Sequence, residues 1–327
     1  MNRNDILATA VTSWLTALDK GQIDAEIIIV DWSSEVPIAE SLYSKRIRDS
    51  RITIVRVDHQ DAWILTVANN LAALFARPSD SPDRTLIKLD CDTFTSEDFF
   101  TLHSLTAGLF YAGNWRVAKD ENELHLNGIL VAPLKSFIEV GGYDERIQTY
   151  GYDDENLYER LIKSGLKRTN IARESASHLE HEAIQRLHYQ PTARYSTDIE
   201  TSINQILSEK LPLWTNADQK SEFEVSRLGR NSFKAVMLKR TTRNLDLLEE
   251  KTGQDIVSKA LKRRLVKLGL PKKLLSKRND LAYLDRLVKT YSKGPMMMVH
   301  VQHGIFIWKT YLVQVLEIGS ARSRRPW

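Results

Sequence analysis

Thr85-Leu-Ile-Lys-Leu-Asp-Cys-Asp-Thr93 is a run of strand-forming residues ending in two carboxylates, Asp90 and Asp92, two positions apart. At the C-terminal tip of a buried strand, such a pair can grip one divalent cation and the diphosphate that the cation carries. An Asp-x-Asp is short, and its plain alternative is a strand end running into a solvated acidic turn. The flanking sequence has to decide between the two.

Upstream, Glu26-Ile-Ile-Ile-Val-Asp31 and Ile52-Thr-Ile-Val-Arg-Val57 are short β-branched runs, the pattern of strands buried on both faces. Between them and Thr85, apolar Trp63, Val67, Leu71, Leu74 and Phe75 recur at helical spacing until Pro78 and Pro82 break the pattern. A second helix is predicted from Ser96 to about Gly108, with Glu97 and Asp98 favouring its N-terminus. This alternation implies an α/β fold: a Rossmann-type, mostly parallel sheet with helices on both faces. Ligands in such sheets lie at the C-terminal strand ends, where Asp31 and Asp90 both fall. The chain itself opens on a helical pattern, Ile6 to Leu18, rather than on a strand.

Downstream, Val140-Gly-Gly-Tyr-Asp-Glu-Arg146 is followed by Tyr150-Gly-Tyr-Asp-Asp-Glu-Asn156. The glycines allow tight left-handed turns, and Asp153 and Asp154 then open a predicted helix over residues 156–164. A carboxylate at a helix start beside Tyr150 and Tyr152 is placed to act as a general base over a sugar ring; equally, both aspartates could simply cap the helix. Ser177-His-Leu-Glu-His181 sets two imidazoles, His178 and His181, three residues apart. They are either metal ligands or ordinary surface chemistry.

The 327 residues, 42% hydrophobic, suffice for a large α/β domain with an extension. The single Cys91 excludes an internal disulfide and a cysteine-cluster zinc site. With no charged-then-apolar leader and no apolar run of roughly 18 residues, the expectation is a cytoplasmic protein.

The ordered set Val30-Asp-Trp-Ser-Ser34, Leu89-Asp-Cys-Asp92, Asn127-Gly-Ile-Leu-Val131, Gly141-Gly-Tyr-Asp-Glu145, Tyr150-Gly-Tyr-Asp-Asp154 and His178-Leu-Glu-His181 resembles GT-A glycosyltransferases. The likeness is to the family-two and galactosyltransferase-type branch, including bacterial polysaccharide polymerases, and covers about residues 1–195. It implies an inverting, metal-dependent enzyme that moves a sugar from a UDP-sugar donor to a polysaccharide or glycolipid acceptor. By position, Asp31 would bind the uracil or ribose, Asp90 the ribose or metal, and Asp92 the metal directly. Asp154 would be the catalytic base, with Asp153 beside it on sugar hydroxyls. His181, and less directly His178, would complete the shell of a Mn2+ or Mg2+ ion. Gly128 would let the backbone approach the donor sugar, and Trp115, Tyr150 and Tyr152 would form stacking walls. Two departures from the family pattern keep a second reading open, a catalytically inactive nucleotide- or carbohydrate-binding remnant. The opening strand is missing, and Asn69-Asn70 stands where the resemblance implies Arg-Asn near the donor phosphates.

Charge divides the chain. Residues 1–200 carry ten more acidic than basic side chains, whereas residues 201–327 carry fourteen more basic than acidic. Residues 196–290 read as a basic, mainly helical extension, and residues 291–327, with Pro295-Met-Met-Met-Val-His-Val-Gln-His-Gly304, as the start of a further, truncated domain. In Ile256 to Leu275, lysines and arginines interleave with Leu261, Leu265, Leu268 and Leu270. Such a segment could lie on the anionic inner face of a membrane, bind an anionic glycan, or be a solvated helix face. No nucleic-acid motif accompanies the charge, so no nucleic-acid partner is expected.

Overall fold

The computed structural model describes residues 3–45, 47–58, 60, 62–76, 84–179, 195–276 and 279–292. His181 and the strand expected after Pro295 lie outside them. The first half runs α1 (Arg3–Gly21), β1 (Ile27–Trp32), α2 (Ile38–Ser44), β2 (Ile52–Val57), α3 (Leu65–Phe75), β3 (Thr85–Lys88), β4 (Thr93–Thr95), α4 (Phe99–Leu102) and β5 (Leu109–Ala112). Then come α5 (Glu121–His125), β6 (Leu130–Pro133), α6 (Leu134–Glu139), α7 (Asp153–Lys163), β7 (Lys167–Asn170) and β8 (Ala176–His178). The last part holds α8 (Thr197–Lys210), β9 (Glu222–Gly229), β10 (Ser232–Lys239), α9 (Glu250–Lys267), α10 (Lys272–Leu275) and α11 (Leu281–Ser292).

The fold is mixed α/β. The strands form sheets in the orders β1-β2-β10-β9 and β3-β6-β5-β7, with β4 and β8 as a separate pair. Parallel pairing holds for β1 with β2, β2 with β10, and β5 with β7. The pairs β3–β6, β5–β6, β9–β10 and β4–β8 are antiparallel, so the sheets are mixed rather than mostly parallel.

Two elements differ from the reading of the sequence. The helix expected over 96–108 is the single turn α4, because the chain must turn through Gly108, at a φ of 78°, to enter β5. The segment after residue 195 is not helical throughout: β9 and β10 form a hairpin whose second strand pairs with β2. Phe233 lies edge-on to Phe75 at 5.0 Å, so the hairpin closes the side of the cluster around Val55, Val57 and Leu71.

Helix α1 joins the two larger sheets. Its Ala10, Val11, Trp14 and Ala17 share one core with Ile29, Ile54, Phe99 and Val131. Trp14 Nε1 donates to the Thr93 carbonyl at 2.8 Å, and the Thr95 N–H donates to Ser13 Oγ at 3.1 Å. These bonds fix the strand that follows Asp92. A second core joins Ile199, Ile203 and Leu207 of α8 to Leu261 and Leu265 of α9 and Leu284 of α11. The apolar face of the basic helix is thereby spent on packing, while Arg264 pairs with Asp198 at 2.9 Å and Lys262 Nζ donates to Asn279 at 2.7 Å. No helix among the described residues is long and apolar enough to cross a membrane.

Candidate functional site

A cavity of about 1790 Å³ runs along the ends of β1 and β3, with Trp32, Asn69, Asp90, Asp92, Asp153 and Asp154 in its wall. Its floor is a cluster of charge. Strand β3 ends at Lys88, which is buried, and its ammonium lies 2.8 Å from Asp90 and 3.8 Å from Asp154. Burial opposes this charge, but Asp154 and Asp90 outweigh it and hold Lys88 protonated. A Cβ on Gly128 would stand 2.5 Å from Asp90 Oδ2 and 2.8 Å from Lys88 Nζ, so glycine leaves room for the cluster as well as for a ligand.

Asp153 and Asp154 open α7, whose N-terminal dipole favours them. Burial, together with the charge of Asp154, pushes the Asp153 carboxyl up to about 7. Burial also raises Asp154, with Lys88 opposing the shift. The Tyr143 hydroxyl donates to Asp154 Oδ1 at 3.0 Å, and Tyr143 is itself locked in place by Asn70. Asn70 Nδ2 donates to the Tyr143 carbonyl at 2.9 Å and to Glu145 at 2.8 Å, while the Tyr143 N–H donates to Asn70 Oδ1 at 2.8 Å. The asparagine pair thus divides its work. Asn70 builds the 141–145 turn, and Asn69 Nδ2 is buried with no partner among the described residues.

Asp92 lies one turn away, with His178 Nδ1 at 3.7 Å from its Oδ1 and the His125 ring stacked on His178 at 4.6 Å. Among the described residues no three His, Cys, Asp or Glu side chains gather as a metal shell. The Asp92–His178 pair supplies one hard oxygen and one imidazole nitrogen, a donor set that suits Mn2+ or Mg2+ if phosphate oxygens complete it. Asp90, read from the sequence as a ribose or metal contact, is engaged by Lys88.

The remaining candidates are dispersed. Asp31 is 1% exposed, and its oxygens accept from the Ser34 and Ile38 N–H groups at 3.1 and 3.0 Å and from Arg56 at 2.7 Å. It therefore holds the loop between β1 and α2. Tyr150 and Trp115 are exposed at the cavity rim, Trp115 beneath the Arg116 guanidinium at 4.7 Å. Tyr152 has a left-handed φ of 69° and donates its hydroxyl to Glu159 at 2.9 Å. Such a backbone in a non-glycine residue marks strain at a site that needs it.

Sequence reasoning missed Lys88, Tyr143 and Asn70. For Lys88 a signal existed: a cation inside an apolar strand run, two residues before Asp90 and hence on the same face. Tyr143 and Asn70 stand in stretches that the sequence singled out, but their roles, the bond to Asp154 and the brace of the 141–145 turn, were not legible because they come from partners 11 and 73 residues away.

Residues 114–182 match the family model described as the N-terminal domain of galactosyltransferase. No curated protein matches the sequence. Among solved structures, the Drosophila β1,4-galactosyltransferase 7 point mutant in complex with manganese, UDP-Gal and xylobiose is 11% identical, with a TM-score of 0.49 over 74% of this chain and 91% of that one. The catalytic domain of the same Drosophila enzyme with xylobiose is 12% identical, with a TM-score of 0.46 over the same shares. The family match falls on the segment that holds Gly128, Tyr143, Asp153, Asp154 and His178, and the chain there resembles a galactosyltransferase-type GT-A glycosyltransferase.

Proposed function

We propose that the protein is an inverting, metal-dependent glycosyltransferase that moves a hexose from a UDP-sugar to a hydroxyl of a glycan or glycolipid. The observation that carries this reading is the meeting of Asp90, Asp154, Lys88 and Tyr143 around Gly128, in one cavity with Asp92 and His178. Asp154 takes the proton of the acceptor hydroxyl as that oxygen bonds to the anomeric carbon and the bond to the diphosphate breaks. Lys88 and the Tyr143 hydroxyl oppose the burial that raises the Asp154 carboxyl, and the Tyr143 hydrogen bond aims it. Asp92 and His178 would hold the divalent ion, which when bound supplies positive charge for the leaving diphosphate. Trp115 and Tyr150 at the rim offer aromatic faces to sugar rings. The Drosophila enzyme's manganese, UDP-Gal and xylobiose are consistent with this chemistry.

Calorimetric titration of UDP with manganese, and again with EDTA, tests the reading. Binding is expected only with metal, lost in Asp92→Ala and kept in Asp154→Asn; metal-independent binding, or equal affinity in all three proteins, would sink it. A binding remnant is the second reading, favoured by Asn69 where an arginine is implied. It requires that no UDP-sugar be hydrolysed or transferred under conditions where UDP binds.

A further inference from the structure

Glu155, the residue after Asp154 on α7, is shared by two guanidinium groups. Its Oε2 accepts from Arg116 Nη1 at 2.7 Å, and Arg168 Nη1 of β7 donates at 3.3 Å to Oε1 and 3.4 Å to Oε2. One carboxylate between two arginines leaves a net positive charge. The Arg168 side chain is 14% exposed, and its Nη2 donates to the Gly113 carbonyl. The Arg116 side chain is 52% exposed and lies in the wall of the cavity, so the surplus charge is displayed there. Its guanidinium rests 4.7 Å over the Trp115 ring, and its Nε and Nη2 have no partner among the described residues. Held by an ion pair on one side and an indole beneath, this planar edge presents two parallel N–H groups, the geometry that grips a carboxylate or phosphate with two bonds. Asp90, Asp153 and Asp154 repel an anion from the cavity floor, which directs it to the rim.

We propose that Arg116 is a specificity-determining residue that recognises an anionic group on the acceptor, the carboxylate of a uronic acid or a phosphate ester. This rests on the glycosyltransferase reading and deepens it by naming an acidic glycan as the acceptor class. The anchor lies one residue along α7 from the base, so the charged group belongs to the acceptor sugar itself or to its neighbour.

Matched ligands test this by saturation-transfer NMR on protein loaded with UDP and Mg2+: methyl β-glucuronide against methyl β-glucoside, methyl β-galacturonide against methyl β-galactoside, and glucose 6-phosphate against glucose. At least one acid is expected to bind about tenfold more tightly than its neutral partner, as two charge-assisted bonds at a half-exposed site imply. The pair that shows the preference tells a carboxylate from a phosphate source. Arg116→Gln is expected to bind acid and neutral member alike, and Arg116→Met carries the same expectation where the glutamine variant does not fold. Arg116→Lys is expected to keep part of the preference. A salt bridge that merely pins the Trp115 turn to α7 would lower both affinities together and leave their ratio. An unchanged ratio in Arg116→Gln and Arg116→Met, or no preference in any wild-type pair, therefore overturns the proposal. Loss of UDP affinity in Arg116→Gln assigns the arginine to the donor diphosphate and overturns it as well. Wild-type protein that binds no UDP with either Mg2+ or Mn2+ sinks the glycosyltransferase reading, whereas UDP binding without an acid preference sinks this proposal alone.

Discussion

At the scale of single residues, the chemistry turns on how a buried acid pair is kept usable. Asp153 and Asp154 sit side by side at the start of α7, and burial alone would favour their neutral forms. The charge of Lys88 is felt by both carboxyls, but only Asp154 accepts the Tyr143 hydroxyl and lies 3.8 Å from the Lys88 ammonium, which separates the two roles. Asp154→Asn is expected to lower transfer by about 10²- to 10⁴-fold while metal-dependent UDP binding stays, as read by initial rates and calorimetry. Asp153 has a consequence for stability. Its carboxyl, raised to about 7, keeps its proton in the folded protein over a range where the unfolded chain, near pH 4, has already lost it. The stability from this group is thus full in acid and lost as pH rises from about 4 through about 7. Thermal melts across that range should show wild type losing stability with rising pH more steeply than Asp153→Asn.

At the scale of elements, the site depends on turns that distant segments hold. Gly142, at a φ of 68°, has no room for a Cβ beside Asn70 Oδ1, so the 141–145 turn and helix α3 must be built together. Asn70→Ala strips three buried hydrogen bonds from that joint and should cost about 2–3 kcal/mol in urea unfolding, with loss of transfer because Tyr143 no longer reaches Asp154. Helix α9 shows the same logic in the C-terminal part. Leu261 is fully buried against α8 and α11, and Leu261→Ala should destabilise by about 2–5 kcal/mol. Without that packing the helix reads as a free amphipathic segment; with it, only the basic face remains available.

At the scale of the whole molecule, the acidic first part holds the site and the basic last part braces it through the β9–β10 hairpin and helices α8 to α11. Because the leucines of α9 are committed to the core, contact with an anionic surface would be electrostatic only. Co-sedimentation with phosphatidylserine vesicles should therefore vanish by about 0.3 M salt, with no blue shift of tryptophan emission, since screening removes charge attraction but not insertion. Much of the molecule was legible in the sequence. The β-branched runs 27–32 and 52–57, the helix from residue 6 to 18, the aspartates at a strand end and the acidic start of a helix all follow from local periodicity and the dipole of a helix. The hairpin was not, because β9 and β10 expose most of their side chains and β10 gains its place by pairing with β2, some 180 residues earlier, and by packing Phe233 and Ala235 onto the cluster around Val55 and Leu71. Nor was the division of labour between Asp90 and Asp92. Both lie on one strand end in any reading of the chain, and only the tertiary structure carries Asp154 from α7 and Lys88 from β3 to the same few ångströms, where Coulomb attraction ties Asp90 to the lysine, while His178 from β8 lies beside Asp92.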